Sequence, residues 1–216
     1  MTNELLEKLS QALIEQQEDD VINLCRESLA KGLPAKSILE DGLLPGIRKV
    51  GELFSTGEYF LPQLIFSGMI MQKAVAALEP SLIASGSQFH VGKYLIGTVE
   101  GDIHDIGKNI VVTMLKANGW SVHDLGVDVA PEKFCEAIAE GDYDIVGMSS
   151  LLNVTLPAVE ATIEAVVKAG IRDKIKIMVG GAPVTQRFAD KVGADGYGKD
   201  AFEAVSKALS LIGKTL

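Results

Sequence analysis

The feature that most constrains the fold of this sequence is a repeated alternation, from residue 93 onward, of short apolar runs with longer amphipathic segments. Short apolar runs that contain glycine and β-branched residues are typical of buried strands. Strand–helix units in series predict a parallel sheet with right-handed crossovers and helices on both faces. The predicted strands are 94–99, 121–124, 144–148, 176–179 and 196–197, and the predicted helices are 107–118, 131–140, 156–169, 186–192 and 201–212.

Five strands of this kind fit the flavodoxin-like, or Rossmann-like, order 2-1-3-4-5. The residues before them follow a different pattern. Residues 1–80 show only helical periodicity, over 3–17, from Asp19 or Asp20 to Lys31, from Pro34 to about residue 54, and from 61 to Pro80. Short turns between four such helices predict a small antiparallel bundle, with Pro45 and Gly46 bending or breaking the third helix. The fold class is therefore α plus α/β.

The stretch between the two patterns is small and polar and has no clear period, which indicates a linker. We therefore expect a helical bundle in residues 1–80, a linker in residues 81–90 and a sheet domain in residues 91–216.

Composition excludes several classes of function. The chain has 216 residues, of which 47% are apolar, and this is ample for a core. The net charge is −9 and no dense basic patch is present, which argues against nucleic acid and anionic membrane as partners. The two cysteines, Cys25 and Cys135, are far apart, so a reducing cytoplasm is the expected setting. The acidic N-terminus does not resemble a signal peptide.

A ligand site is expected at the carboxyl edge of the sheet. In open parallel sheets, ligands bind where the strand order reverses, which here lies between the first and third strands. The loops that follow these strands are 100–105 and 149–155, so Asp102, His104 and Ser149 should meet there. The fourth strand ends in Gly180-Gly181, where the absence of side chains would let a ligand approach the backbone.

The residues of this edge favour a metal over a nucleotide. The dinucleotide fingerprint and the phosphate loop are both missing, and the loop 100–105 is acidic. An imidazole with a carboxylate on its far nitrogen is the usual arrangement of a metal-ligating histidine. His90 and His123 do not converge on His104, whereas zinc requires three or four protein ligands. A single protein ligand suits a metal that brings its own macrocycle.

Three sequence motifs identify the family that this chain resembles. Asp102-x-His104-x-x-Gly107, then after 41 residues Ser149-x-Leu151, then after 28 residues Gly180-Gly181, resembles the cobalamin-binding signature of corrinoid-dependent methyltransferases. The stretch 57–64, GEYFLPQL, resembles the helical cap domain of the same proteins. The most similar class is that of small, free-standing corrinoid proteins, which work with separate methyltransferases on methylamines, methanol or aromatic methyl ethers.

The resemblance implies roles for individual residues. His104 becomes the lower axial ligand of cobalt in place of the dimethylbenzimidazole base, which enters a slot beside the first and third strands. Asp102 hydrogen-bonds the other imidazole nitrogen, and Ser149 extends that chain. Relatives often carry threonine at the position of Asn153, and Thr155 is close enough to serve instead. The positions implied to bind the cofactor are Asp102, Ile103, His104, Asp105, Gly107, Ser149, Leu151, Asn153, Thr155, Gly180 and Gly181, with Tyr59 and Phe60 of the cap.

Simpler interpretations remain open for some of these residues. Asp102 could be a helix cap, and Asp105 fits that role better because it is nearer the start of the helix. Ser149 and the two glycines could serve only their loops, and Ser150 is expected to do no more than that. Asn153 and Thr155 could cap the helix that follows. Aromatic residues of the first half could be bundle core, and Tyr59 and Phe60 are the best candidates for a cover over the corrinoid.

The resemblance implies a corrinoid carrier, cobalamin or a related corrinoid being its cofactor. Its expected partners are a substrate-specific methyltransferase, an acceptor methyltransferase that uses a folate or a thiol, and a reductive activase. Such a protein is a component of a methyltransferase system and not a complete catalyst alone; the donor could be a methyl ether, a methylamine or methanol. One alternative is a cobalamin-sensing regulator, although such proteins usually carry a DNA-binding domain, for which we expect no room here. The other is a flavodoxin-like electron carrier or phosphoacceptor, which would leave the helical half unexplained.

Overall fold

The computed structural model describes residues 2–85 and 91–214 of the chain. The chain divides into two compact units, one formed mainly by residues 1–91 and the other mainly by residues 92–216. The described part of the first unit is helical, and the strands lie in the second. Within the predicted linker, residues 81–84 belong to a helix, and residues 86–90, which include His90, lie outside the described residues.

The described residues of the helical unit form four helical segments, as the periodicity predicts. The third of them is continuous from residue 35 to residue 55 and is made of a short helix, a π-helical turn and a longer helix. The elements are α1 (Thr2–Ile14), α2 (Glu18–Ala30), α3 (Ala35–Ser37), a π-helical turn (Ile38–Leu43), α4 (Leu44–Ser55) and α5 (Leu61–Ala84). Helix α1 packs on α2 and α4, and α5 packs on α2 and α4. The core consists of apolar side chains at helical spacing, including Leu9, Leu13, Val21, Ile38, Ile47, Val50, Leu64 and Leu78, all fully buried.

The third helical segment was predicted to bend or break at Pro45 and Gly46. It instead forms a π-helical turn just before Pro45 and continues without a break. Pro45 stands in the first turn of α4, where its missing N–H costs nothing, and the irregular part is the π-helical turn before it. A helix that ran on unchanged through Pro45 would lose a hydrogen bond and bring the proline ring against a carbonyl of the preceding turn. The wider turn removes this conflict, and Gly46 continues the helix without a break.

Helix α5 extends beyond the predicted stop at Pro80 and ends at Ala84. Leu78 and Leu82 are both buried one turn apart, so the core continues past the proline and offsets the hydrogen bond that Pro80 cannot make. Within the described residues, α5 is the one helix that is long and apolar enough to cross a bilayer, with a mean hydropathy of 1.3. Eight of its residues are buried in the unit, and we interpret it as the core helix of the bundle.

The second unit is a five-stranded parallel sheet in the predicted order β2-β1-β3-β4-β5. Its strands are β1 (Lys93–Thr98), β2 (Ser121–Asp124), β3 (Ile145–Ser149), β4 (Lys176–Gly180) and β5 (Gly196–Gly198). Its helices are α6 (Ile106–Ala117), α7 (Pro131–Glu140), α8 (Leu156–Lys168), α9 (Gln186–Val192) and α10 (Ala201–Leu211). The predicted fold class is confirmed, and the central strands are apolar on both faces because helices cover both.

The register of the sheet determines which loops are neighbours. Thr98 at the end of β1 pairs with Ser149 at the end of β3, and Ser149 pairs with Gly180 at the end of β4. The loops after β1, β3 and β4 therefore begin side by side at one edge of the sheet.

Candidate functional site

The loop after β1 is fastened at both ends. The buried Thr98 hydroxyl donates a hydrogen bond of 3.0 Å to the carbonyl of His104. The backbone N–H of Gly101 donates to the carboxylate of Asp128, whose own N–H donates to the carbonyl of Asp102 at 2.9 Å. Sequence reasoning missed Thr98 and Asp128. The sequence does contain a feature that could have pointed to Thr98: it is a polar residue near the end of the apolar run 94–99, at the predicted carboxyl edge of the sheet.

The carboxylate of Asp102 is fully buried, and both of its oxygens have two donors. Oδ1 accepts from the backbone N–H of His104 at 3.0 Å and lies 2.8 Å from Nδ1 of the His104 ring. Oδ2 accepts from the backbone N–H of Leu151 at 2.6 Å and from the hydroxyl of Thr155 at 3.1 Å. One side chain thus joins the loop after β1 to the loop after β3.

These contacts decide the charge of Asp102. Burial alone raises the pKa of a carboxyl group, because it penalises the charged form. Four hydrogen bonds to the carboxylate, from the His104 and Leu151 backbones and from the His104 and Thr155 side chains, outweigh that cost and lower the pKa of Asp102 to about 2. The side chain is therefore an anion at any pH near neutral.

An anionic Asp102 determines the state of the His104 ring. A carboxylate can only accept, so Nδ1 of the ring must donate, and in the neutral imidazole this leaves the lone pair on Nε2. The His104 side chain is 46% exposed, and no other hydrogen bond to its ring is found within the described residues. The predicted Asp102–His104 hydrogen bond is thus present, and Nε2 is available to bind a metal.

The third member of this hydrogen-bonded chain differs from the expectation. Ser149 has no side-chain hydrogen bond among the described residues. The hydroxyl that reaches Asp102 belongs to Thr155, and Ser150 Oγ lies 2.8 Å from Thr155 Oγ1. Ser150 was expected to serve only its loop, and it is instead fully buried within this network. Ser150 is the first residue after β3, where the chain leaves the sheet toward the helix that carries Thr155 at its start.

Gly181 has a structural role that the motif alone does not reveal. Its φ is +125°, and a Cβ built on it would lie 1.9 Å from the carbonyl oxygen of Ser150. The backbone after β4 therefore packs directly on the backbone after β3, and Ser150 also donates from its N–H to the carbonyl of Gly180 at 3.0 Å. This contact and the positive φ by themselves require glycine at position 181, and the expected approach of a ligand to this backbone stays a prediction.

An apolar patch surrounds the site. It consists of large side chains on the loops and first helical turn at the carboxyl edge: Ile103, Ile106, Val127, Leu151, Leu152 and Val154. Ile103, Ile106 and Val154 are 74%, 75% and 81% exposed. An exposed apolar patch of this kind marks a surface that a ligand or partner covers, because burial of such side chains is favourable.

The remaining predicted residues of the sheet unit lie around this patch. Asn153 is exposed, Gly107 lies in the first turn of α6 with open space beside it, and Asp105 accepts from the side chain of Asn109 at 3.0 Å. The side chain of Asp105 thus contacts the first turns of α6, and its role as a helix cap stays a prediction. His123 bonds the Tyr143 hydroxyl, so it does not reach His104.

A further ion pair near the site was not anticipated. Lys108, which is almost fully buried, pairs with Asp124 at the end of β2 and also donates to the side chain of Asn109 at 3.0 Å. This pair fastens the first turn of α6 to the sheet, directly after the loop that carries His104.

In the helical unit, the structure separates the two predicted cover residues. The hydroxyl of Tyr59 donates to the carbonyl of Ile14 at 2.8 Å, so this side chain is committed to the bundle. Phe60 is 66% exposed and precedes α5, which also exposes Phe66 and Met69. Of the pair, Phe60 has the exposed ring, and a covering role for either residue stays a prediction.

These residues fit a corrinoid better than a bare metal ion. The described residues contain no group of three or more histidine, cysteine and acidic side chains that could hold a metal by themselves. They do provide one oriented imidazole nitrogen within an apolar patch, which suits a metal already held by an apolar macrocycle.

Comparison with known proteins gives the same result. Residues 92–206 and residues 5–79 each match a family described as a B12 binding domain. The dimethylamine corrinoid protein of Methanosarcina barkeri is 44% identical over 210 residues, which cover 97% of this chain and 98% of that protein.

Solved structures of cobalamin-related proteins are also similar to this chain. A cobalamin-binding protein from Desulfitobacterium hafniense DCB-2 has a TM-score of 0.83 and 34% identity, covering 95% of this chain and 98% of that one. The methanol:cobalamin methyltransferase complex MtaBC from Methanosarcina barkeri contains a chain with a TM-score of 0.81 and 29% identity, covering 98% of this chain and 81% of that one. This chain therefore belongs to the B12-binding family, among the corrinoid proteins of methyltransferase systems, and its cofactor is a corrinoid.

Proposed function

We propose that this protein is a corrinoid methyl carrier, which accepts a methyl group from a substrate-specific methyltransferase and delivers it to a second methyltransferase. The observation that carries the proposal is the state of His104. Asp102 Oδ1 lies 2.8 Å from its Nδ1, which leaves Nε2 free to act as a ligand at an edge whose loops expose several large apolar side chains. A histidine so placed can coordinate a metal from below while the patch contacts the surrounding macrocycle.

The residues of the chain bind and orient, and the bound corrinoid supplies the methyl-transfer chemistry at its cobalt. His104 would hold the cobalt through Nε2. Asp102 keeps the ring in the tautomer that leaves Nε2 unprotonated, and its charge would make that nitrogen a stronger metal ligand. The apolar side chains of the patch would exclude water from the site.

The relatives support a choice among the donors. The similarity to a dimethylamine corrinoid protein over nearly the whole chain favours a methylated amine over methanol or a methyl ether. The methanol complex, in which a corrinoid protein is bound to a methyltransferase, supports a separate donor enzyme as partner. An acceptor methyltransferase that uses a folate or a thiol, a reductive activase and a cytoplasmic location complete the proposal.

The proposal also assigns a role to Phe60 of the helical unit. We infer that its exposed ring would cover the bound corrinoid and limit the access of water and oxidants to it.

The test of the proposal is binding and spectroscopy of the loaded protein. Protein labelled with ¹⁵N is reconstituted with hydroxocobalamin and reduced to Co(II), and its electron paramagnetic resonance spectrum is recorded. We expect coupling to one ¹⁵N nucleus from the protein, and its loss in His104→Ala. Coupling to the unlabelled dimethylbenzimidazole nitrogen in the wild type would overturn the proposal, as would tight binding of a flavin in place of the corrinoid.

The donor is tested separately, by methyl transfer from mono-, di- and trimethylamine, methanol and a methyl ether in the presence of the matching methyltransferases. Transfer from methanol or the ether at a higher rate than from any amine would refute the donor assignment without affecting the carrier function.

A further inference from the structure

Helix α1 ends differently from six other helices of this chain. Those helices are followed by a glycine with a left-handed backbone, namely Gly32, Gly57, Gly119, Gly170, Gly193 and Gly213. The corresponding residue after α1 is Gln16, with a φ of +62°. Its N–H donates to the carbonyl of Leu13 at 3.2 Å, and the N–H of Gln17 donates to the carbonyl of Ala12 at 2.9 Å. This is the hydrogen-bond pattern of a helix that ends in glycine.

Glutamine is an unfavourable choice at this position. A left-handed backbone brings Cβ close to a carbonyl oxygen, so glycine adopts it freely, and asparagine and aspartate adopt it more readily than longer side chains do. Among the described residues, the other non-glycine residue with a positive φ is an aspartate, Asp128. A glutamine is therefore expected at position 16 only if its side chain makes contacts that offset the backbone strain.

The half-buried side chain of Gln16 makes such contacts. Its Nε2 donates to the carbonyl of Gln63 at 2.7 Å and to the hydroxyl of Ser67, a fully buried residue, at 3.1 Å. Gln63 and Ser67 lie one turn apart in α5 and are 47 and 51 positions away from Gln16. One amide group thus holds the first turns of α5 against the end of α1.

These turns follow directly on Phe60, whose ring is 66% exposed. The N–H of Phe60 donates to Oε1 of Gln63 at 2.9 Å, and the N–H groups of Gln63 and Leu64 both donate to the carbonyl of Phe60. Gln63 is therefore the link, because its side chain holds the backbone of Phe60 and its carbonyl is held by Gln16. An exposed ring has few contacts of its own, so its position depends on this backbone.

We propose that Gln16 is a positioning residue for Phe60, and that this role is the reason why α1 does not end in glycine. Tyr59 does not have the role. Its hydroxyl bonds the carbonyl of Ile14, and its backbone N–H is held separately by the carbonyl of Leu53 at 2.9 Å. The consequence for the corrinoid rests on the proposed function, whereas the order at the start of α5 is a property of the protein without corrinoid.

The first experiment measures amide hydrogen exchange by NMR in the corrinoid-free protein. Gln16→Gly removes both hydrogen bonds and the backbone strain, whereas Gln16→Glu keeps the size and the strain but has no N–H donor. We expect the amides of Phe60, Gln63 and Leu64 to exchange about ten-fold faster in both variants. The amides of β3, which belongs to the other unit, are the reference and should not change.

The controls separate positioning from general stability. Gln17→Ala changes the exposed neighbour of Gln16, and Tyr59→Phe removes the other side-chain bond to the end of α1, so both should leave the three amides at wild-type rates. Ser67→Ala removes one of the two acceptors and should give a smaller acceleration than Gln16→Gly. Wild-type exchange in Gln16→Gly and Gln16→Glu, or an equal acceleration in Tyr59→Phe, would overturn the proposal.

Urea unfolding of the two Gln16 variants tests the strain itself. Because Gln16→Gly relieves the backbone and Gln16→Glu does not, the glycine variant should have the higher midpoint although both exchange faster at the start of α5. Equal midpoints would show that the left-handed glutamine is not strained, and the reason given for its presence would then be wrong.

The second experiment uses protein loaded with cobalamin and reduced to Co(I). Reoxidation by oxygen should be faster in Gln16→Gly than in the wild type. In a Phe60→Ala background, Gln16→Gly should have no further effect, because the ring that Gln16 positions is then absent. Additive effects of the two substitutions would contradict a role through Phe60. If the wild type binds no corrinoid, the proposed function is wrong, and the exchange rates still decide whether Gln16 holds the backbone of Phe60.

Discussion

The backbone N–H of Leu151 donates a hydrogen bond of 2.6 Å to Oδ2 of Asp102, which lies 49 positions earlier in the chain. This bond joins the loops after β1 and β3, and with the Thr155 hydroxyl it occupies the oxygen that does not face His104. The position of the His104 ring therefore depends on residues of a different strand–helix unit.

The first prediction concerns Asp102→Asn in the corrinoid-free protein. An asparagine amide presents an NH₂ group on one side, so two of the four donors around Asp102 would face another donor instead of an acceptor. We expect a loss of about 3 kcal/mol in the free energy of unfolding at pH 7, measured in urea. An unchanged free energy would show that these contacts do not hold the loops together.

The same variant has a pH signature. The folded-state pKa of Asp102 is lowered from 3.8 to about 2, so its contribution to stability is fully present above about pH 4 and is lost as the pH falls towards 2. The stability difference between wild type and Asp102→Asn should be constant between pH 5 and pH 8 and should shrink at pH 3. A difference that grows on acidification would contradict the assignment.

The second prediction compares two glycines with positive φ. In Gly181→Ala the new methyl group meets the Ser150 carbonyl at 1.9 Å, and the φ of +125° disfavours any side chain. We expect a loss of more than about 4 kcal/mol, or failure to fold. Gly193→Ala has a φ of +73° and nothing within 4 Å of the new methyl group, so it should cost only about 1 kcal/mol. Equal losses in urea unfolding would show that the contact with Ser150 is not what requires glycine.

The third prediction separates the two aromatic residues before α5. Phe60→Ala removes an exposed ring, so the stability of the corrinoid-free protein should change by less than about 0.5 kcal/mol. With corrinoid bound and reduced to Co(I), reoxidation by oxygen should be faster than in the wild type. Tyr59→Phe loses the hydrogen bond to Ile14 and should cost about 1 kcal/mol of stability without a change in the reoxidation rate. The reverse pattern would assign the covering role to Tyr59.

The fourth prediction uses the two cysteines as reporters of the two units. Cys25 is fully buried in the helical unit, and burial raises the pKa of its thiol to about 12. Cys135 is only half-buried, and burial together with the nearby Glu132 carboxylate raises the pKa of its thiol. Because the thiolate is the reactive form, a disulfide reagent at pH 8 should modify Cys135 first and Cys25 only when the helical unit opens. Labelling of Cys25 in Cys135→Ala at the rate of an unfolded peptide would contradict this burial.

Much of the architecture could be predicted from the sequence because it depends on local patterns. Apolar runs and helical periodicity predicted the order of the elements and the 2-1-3-4-5 sheet, and their bounds differ from the observed ones by a few residues at most, apart from the end of α5. The adjacency of Asp102 and His104 followed from the D-x-H spacing, since a carboxylate two residues before a histidine can reach its ring within one loop.

The tertiary structure decided the features that depend on contacts between distant residues. The D-x-H and S-x-L motifs could not distinguish Ser149 from Ser150 and Thr155, because the choice depends on which side of β3 faces the loop after β1. The reason for Gly181 is the backbone of Ser150, and the continuation of α5 past Pro80 depends on the burial of Leu82 in the bundle. Sequence alone determined the order of the elements and the adjacency of Asp102 and His104, because both follow from short-range patterns. Only the packing of strands far apart in the chain determined which hydroxyl reaches the Asp102 carboxylate.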